Sequence, residues 1–275
     1  MRVGLLTAAF GKKTSFADVA AWAAQAGFSD LEVWAGPEAH LDPREVLKDD
    51  GRSVRNLLKK HKLHISSLAY YAGFTGKHEA YQQTMLALFQ AAEALGTDTV
   101  CTFAGFPEPG KNKLNTIKEV LPKVFAPLIK EAERRKIKIA FENWFETNLQ
   151  HLDHFAAVID SLKAPHVGFN FDPSHLHWQG IDVAAAVLEL EGRIFHTHAK
   201  DVLFNREKLV RLGLLDFYSS WQYSIPGTGE VPWGKYLRAL RKIKYGGVLS
   251  IEHEDAAFGV EEGFEAGKKF LLTLI

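Results

Sequence analysis

Short apolar runs alternate along the chain with longer stretches in which apolar residues recur at helical spacing. The runs are Val3–Ala8, Leu31–Ala35, His64–Tyr70, Thr99–Phe103, Ile137–Asn143, Val167–Asp172, Ile194–Ala199 and Val248–Glu252. They are continuous rather than strictly alternating, the pattern of parallel strands covered on both faces. The stretches between them predict helices over 16–27, 43–61, 77–95, 114–135, 152–162, 183–190, 233–243 and 260–274. Ser15 is placed to cap the first and Gly27 to stop it, Pro43 fits the first turn of the second, and Pro122 and Pro127 mark breaks or kinks in the fourth. Eight strand–helix units in 275 residues predict an α/β fold, a TIM (β/α)8 barrel forming a single domain over 1–275. The alternative is an open doubly wound sheet. It usually brings a glycine-rich turn after the first strand, and Ala8-Ala9-Phe10-Gly11-Lys12-Lys13 is not one.

Four of the runs stop on acidic or imidazole side chains. Ile139-Ala-Phe-Glu142, Val167-Gly-Phe-Asn-Phe-Asp172 and Val248-Leu-Ser-Ile-Glu252 end on acids, and Arg193–Asp201 carries two histidines, a lysine and an aspartate. On a strand, His196, His198 and Lys200 share one face, with Thr197 and Asp201 on the other. Such groups are costly on a buried strand unless they serve one another, a metal or a ligand. A barrel brings the ends of its fifth to eighth strands to one mouth, so Glu142, Asp172, His198 and Glu252 are predicted to meet around one metal ion. Three carboxylates and an imidazole suit Mn²⁺ best, with Mg²⁺, Co²⁺ or Zn²⁺ as alternatives. Without a cation, three crowded anions repel and take up protons.

Lys200 is placed to neutralise developing charge or hold a hydroxyl; paired with Asp201 at the rim it is purely structural. Trp34, Trp144 and Phe106 fall in loops at the mouth, where aromatic faces suit the C–H faces of a sugar. His196 reads as a structural neighbour of the site, and Glu254 as the reserve fourth ligand. Val202–Glu230 is long for a connection. It holds Phe204, Leu214, Leu215, Phe217, Tyr218, Trp221 and Tyr223, an apolar load that a lid or a subunit interface in a homo-oligomer would explain.

Composition narrows the function. Lysine plus arginine and aspartate plus glutamate both number 33, which argues against broad electrostatic binding to nucleic acid or an anionic membrane. The single cysteine, Cys101, forms no internal disulfide and reads as a small buried residue, which favours a reducing compartment. No apolar run approaches the ~20 residues of a membrane span, and the N-terminal run is too short for a signal peptide. A cytoplasmic location is expected.

Five pieces in order give the chain a resemblance. They are Phe141-Glu142-Asn143, Asp172-Pro-Ser-His175, His196-x-His198-x-Lys200-Asp201, Gly227-Thr-Gly-Glu-Val-Pro-Trp233 and Ser250-Ile-Glu252-His253. With them the chain resembles the xylose-isomerase-like TIM-barrel superfamily. Within that superfamily it is similar to the tagatose 3-epimerase and sugar-phosphate isomerase/epimerase group. The resemblance implies that Glu142, Asp172, His198 and Glu252 are the metal ligands, that Glu142 and Glu252 exchange protons with the sugar, and that His175 contacts the substrate. The group's arginine after the strand-seven histidine is absent, Phe204 standing in its place, with Arg206 two residues on as a substitute. The group's second glutamate after the strand-five ligand is Asn148 here, with Glu146 nearby.

The implied reaction is metal-assisted proton abstraction beside a carbonyl, through an enediolate, ending in isomerisation or epimerisation of a carbohydrate. The main alternative is a lyase or dehydratase acting on an inosose or a 3-keto-glycoside, since elimination starts from the same abstraction. A non-catalytic sugar-binding protein is the remote alternative. The apurinic-endonuclease branch of the fold needs extra histidines on early strands, and Leu31-Glu-Val-Trp34, Leu68-Ala-Tyr-Tyr71 and Phe103-Ala-Gly105 supply none. No glycine-rich phosphate loop stands out beyond Gly227-Thr-Gly229, which favours an unphosphorylated substrate.

Overall fold

The computed structural model describes residues 1–216 and 219–275. The barrel strands are β1 (Arg2–Leu6), β2 (Asp30–Trp34), β3 (His64–Tyr70), β4 (Thr99–Phe103), β5 (Lys138–Glu142), β6 (Val167–Phe171) and β7 (Ile194–Ala199). A hairpin follows, β8 (Asp201–Phe204) and β9 (Trp221–Ser224), and then the last barrel strand, β10 (Val248–Ile251). Around the ring the order is β1-β10-β7-β6-β5-β4-β3-β2, closed and parallel, as the apolar runs predict.

The helices are α1 (Phe16–Gln25), α2 (Pro43–Leu47), α3 (Arg52–His61), α4 (His78–Leu95), α5 (Lys113–Glu119), α6 (Leu121–Arg135) and α7 (Leu152–Leu162). They continue with α8 (Pro173–His177), α9 (Val183–Glu189), α10 (Arg206–Leu212), α11 (Trp233–Lys242) and α12 (Val260–Leu272). Ser15 caps α1 by accepting from the Asp18 amide at 3.1 Å. The helix expected over 43–61 is two. Asp50 and Gly51 take left-handed backbone angles, φ 54° and 69°, which ends α2, and α3 restarts with Asp49 accepting from the Ser53 amide at 2.9 Å. In the fourth predicted helix Pro122 marks the junction of α5 and α6. Pro127 lies within α6, which runs on through it. Among the described residues no helix is long and apolar enough to cross a membrane.

Strand residues divide by parity. One set, including Leu31, Val33, Ile139, Phe141, Phe169, Phe171, Leu249 and Ile251, packs with the helices in the main core. The other lines the inside of the ring, where a small apolar patch of Leu6, Ala69, Cys101 and Ala140 lies beside buried Glu32, Asn170, His196 and His198. A barrel interior is ordinarily filled with branched apolar side chains. The polar filling here concentrates chemistry on the ring's axis.

At the end of β7, neighbours part company. Lys200 enters the ring and Asp201 faces away from it. The buried Asp201 carboxylate accepts from the amides of Val202 (2.9 Å), Gly227 (3.0 Å) and Val231 (2.8 Å) and from the Trp233 indole (2.8 Å). This explains Gly227–Trp233: it is a loop wound on a carboxylate, and Gly229 is required because a Cβ there would come within 2.5 Å of Asp201 Oδ1. Asp201→Ala leaves the Val202 and Val231 amides and the Trp233 indole buried without that acceptor. It is expected to lower unfolding free energy in a urea titration by at least about 3 kcal/mol; a loss under about 1 kcal/mol, the size of an ordinary surface change, contradicts this account.

Candidate metal centre and active site

Four consecutive ring positions deliver the cluster. Glu142 is the last residue of β5, Asp172 follows β6, His198 lies on β7 and Glu252 follows β10. One ligand atom from each lies within 4.8 Å of the others. His198 Nδ1 is 3.0 Å from Glu142 Oε1, 3.0 Å from Glu252 Oε2 and 3.7 Å from Asp172 Oδ2. The Asp172-Pro-Ser sequence fixes its carboxylate: Pro173 opens α8, and Asp172 Oδ1 accepts from the Ser174 amide at 2.7 Å and hydroxyl at 2.6 Å. Asn143 holds the backbone on both sides, accepting from the Asp172 amide and donating to its carbonyl, each at 2.9 Å. Asp172 Oδ2 is buried and accepts no hydrogen bond from a described residue. The Lys200 ammonium is 3.3 Å away and the His175 ring 3.5 Å, close enough for attraction but not aligned as hydrogen bonds.

Charge at the site is unbalanced. The carboxylates of Glu32, Glu142, Asp172, Glu252 and Glu254 converge on Lys200 and His198. Lys200 Nζ is 2.6 Å from Glu252 Oε2 and 3.1 Å from Glu254 Oε2. Burial disfavours the charged His198 imidazole, yet Glu252, Glu32 and Glu142 together drive its pKa well above the ordinary histidine value. Burial pushes the Glu252 carboxyl up, and Lys200 and His198 outweigh it, bringing it down to about 2. A buried acceptor without a donor, surplus negative charge and a hard oxygen-rich donor set with one imidazole fit a divalent cation.

Above the cluster is a cavity of about 420 Å³. Glu142, His175, Lys200, Glu252 and Glu254 form its polar side, and Trp34, Tyr71, Phe103, Phe106, Trp144 and Tyr223 its aromatic side. The structure thus brings His175, Lys200, Trp144 and Trp34 to one cavity with the cluster. Arg206 is not brought there. Arg206 opens α10; its guanidinium pairs with Glu230 and lies over the Phe204 ring at 5.0 Å, and the side chain is 65% exposed. Lys200 does not pair with Asp201, which is committed to the Gly227–Trp233 loop.

The long segment after β7 contributes through Tyr223 on β9, whose hydroxyl is 2.8 Å from His175 Nδ1. Trp221 stacks on Trp178 at 4.4 Å, with Phe204 and Leu214 packed nearby. Leu215 is 92% exposed. Phe217 and Tyr218 lie outside the described residues.

The sequence reading missed Glu32 and Tyr71. Glu32 Oε2 is 3.1 Å from His198 Nε2, and the Tyr71 hydroxyl donates to Glu32 Oε1 at 2.5 Å. Burial alone would raise the Glu32 carboxyl, but His198 and His196 bring it down to about 2. The signal was an acid in mid-strand, at inward parity with Asp30 and Trp34. Glu32, Cys101 and His196 also offer atoms within 4.8 Å of one another. The Glu32 oxygens of that group are already engaged by the Tyr71 hydroxyl and His198 Nε2.

A family model described as a xylose isomerase-like TIM barrel matches residues 20–274. Among curated proteins, the uncharacterized protein YfiH of Bacillus subtilis is 32% identical over 158 residues, 54% of this chain and 50% of that one. The chain spans about half the length of that relative. The inosose dehydratase of Salmonella typhimurium is 22% identical over 235 residues, 84% of this chain and 73% of that one. In fold, the IolI protein solved with a zinc atom has a TM-score of 0.77 at 18% identity, covering 100% of this chain and 98% of that one. A D-psicose 3-epimerase solved in the presence of D-fructose has a TM-score of 0.74 at 14% identity, covering 99% and 98%.

Proposed function

The chain belongs to the xylose isomerase-like TIM-barrel family, and from that premise we propose that it abstracts a proton beside the carbonyl of a sugar or cyclitol ketone and returns it to isomerise or epimerise the substrate. The observation that carries this is the pair Glu142 and Glu252. Each places a carboxylate oxygen 3.0 Å from His198 Nδ1, from strands separated by β6 and β7, at the floor of the cavity. Two bases reaching one small volume from different sides suit removal of a proton on one face and its return on another.

Glu142, Asp172, His198 and Glu252 would hold a divalent cation, Mn²⁺ being the best match to the donor set. A cation there supplies Lewis acidity for the carbonyl and adjacent hydroxyl oxygens and stabilises the negative charge that develops. The Lys200 ammonium, 2.6 Å away, helps keep Glu252 ionised at neutral pH, able to accept a proton. Tyr223 engages His175 Nδ1, and His175 Nε2 meets Lys200 Nζ at 3.3 Å beside the acidic cluster, so ring and ammonium together face the place a substrate hydroxyl would take. Trp34, Trp144 and Phe106 offer flat faces for the C–H faces of a ring. The D-psicose 3-epimerase of similar fold was solved in the presence of a ketose, D-fructose, which agrees with this substrate class.

Dehydration of an inosose is the second reading, and Lys200 favours it. An ammonium buried against Glu252 can hydrogen-bond a leaving hydroxyl and neutralise the charge that develops on it, and inosose dehydratases are among the curated relatives. Proton NMR in deuterated water over ketoses, inososes and 3-keto sugars separates the two. Epimerisation is expected to place deuterium beside the carbonyl with the carbon skeleton and oxygen count unchanged; elimination gives a product lighter by water or by an aglycone. Absence of exchange with every substrate in the presence of Mn²⁺ would sink both and leave sugar binding.

A further inference from the structure

We propose that Glu32 is the positioning residue of His198: it holds the Nε2 proton and thereby commits Nδ1 to the cation. The inference rests on the metal reading above and extends it to a residue on the opposite edge of the imidazole. That ring has two distinct edges. Nδ1 faces Glu142 and Glu252, both at 3.0 Å. Nε2 faces Glu32 Oε2 at 3.1 Å, the Tyr71 hydroxyl at 3.1 Å and Asn170 Nδ2 at 3.0 Å. Glu32 comes from β2, three strands round the ring from β7, so the contact crosses the barrel.

The hydrogens at the Nε2 edge can be accounted for. Tyr71 gives its proton to Glu32 Oε1 at 2.5 Å, and Asn170 Nδ2 donates to the Tyr71 oxygen at 2.8 Å. Asn170 Oδ1 faces His196 Nδ1 at 3.0 Å, the arrangement in which that nitrogen donates to the amide oxygen. Glu32 Oε2 then needs a donor, and the His198 Nε2 proton supplies it. In the opposite arrangement Asn170 donates to a bare Nε2. A buried carboxylate oxygen and a nitrogen lone pair would then face each other at 3.1 Å, leaving an acceptor unpaired where no water dilutes the repulsion. A carboxylate on the far N–H also fixes the ring plane and makes the near nitrogen a stronger donor to a metal.

The test uses the full chain with Mn²⁺ as the only ligand, titrated by calorimetry against the parent, Glu32→Gln and Glu32→Asp. Glu32→Gln keeps an acceptor oxygen but loses the charge. It is expected to weaken Mn²⁺ binding by about 10- to 100-fold, with Glu32→Asp recovering part of the loss and circular dichroism unchanged. Imidazole ¹⁵N–¹H spectra of the zinc-loaded protein supply a readout that a merely structural residue would not move. The parent is expected to show a slowly exchanging His198 Nε2–H, displaced or lost in Glu32→Gln. A folded Glu32→Gln that binds Mn²⁺ within twofold of the parent overturns the inference alone. If that variant does not fold, unchanged affinity in Glu32→Asp overturns it. A parent that binds no Mn²⁺ overturns the metal reading, and the inference with it.

Discussion

Glu142→Gln and Glu252→Gln are each expected to lower solvent deuterium incorporation into substrate by about 10²- to 10⁴-fold, the range lost when a positioned acid or base is removed. Glutamine is nearly isosteric, so the cavity walls are kept, and the amide cannot accept a proton at neutral pH. Both residues also belong to the cluster around His198 Nδ1, so lost exchange alone does not separate loss of the base from loss of the cation. Mn²⁺ content measured on the same samples does. A variant that still binds Mn²⁺ yet exchanges nothing has lost the base; one that loses both has lost a ligand. Normal exchange in both variants would end the acid/base assignment. The two variants are also expected to differ. Glu252 is tied to Lys200 at 2.6 Å, and glutamine there releases an ammonium beside Asp172 and Glu254. Among the described residues, the ion pairs of Glu142 are with His175 and His198 and none is with a lysine.

Removing divalent cations with a chelator is expected to abolish activity and lower the thermal midpoint, with Mn²⁺ restoring both. The native state alone gathers the four side chains, so binding favours it. At 100-fold excess over the dissociation constant this adds about 2.7 kcal/mol, or roughly 5 °C or more in midpoint for a chain of this size. Asp172→Asn makes the test specific. The amide oxygen retains the role of Oδ1 toward Ser174, while the buried Oδ2, which accepts no hydrogen bond from a described residue, is replaced by a neutral group. That variant is expected to lose the Mn²⁺-dependent rise, each midpoint being compared with the same variant's own metal-free value. A midpoint in the parent that does not respond to Mn²⁺, Mg²⁺, Co²⁺ or Zn²⁺ would refute the cation reading.

The strands were legible because each is a continuous apolar run, and Glu142, Asp172, His198 and Glu252 were legible because each falls where such a run ends. Closure of the ring was not written into any one run, and what depends on closure was missed. Glu32 looks like a polar interruption in a five-residue strand; its meaning comes from His198, 166 positions away in sequence. Tyr223 lay in a segment whose apolar content suggested a cover. Its role depends on a hairpin register that pairs Val202 with Tyr223. Arg206 was placed by counting from His198. A two-strand excursion turns the chain outward before that count is complete, so the guanidinium reaches Glu230 instead. The break in 43–61 came from two adjacent left-handed residues, a backbone event that hydrophobic spacing does not report.

The opposed directions of Lys200 and Asp201 limit how this chain can change length. Gaining or losing one residue within 194–201 would exchange them, since strand side chains alternate. An ammonium would then face the amides that now converge on Asp201, and another carboxylate would enter a mouth already rich in acid. Deletion and insertion libraries should therefore show a sharp zone of intolerance up to Asp201. Tolerance is expected to resume beyond Phe204, where the excursion can be rebuilt without moving either side chain.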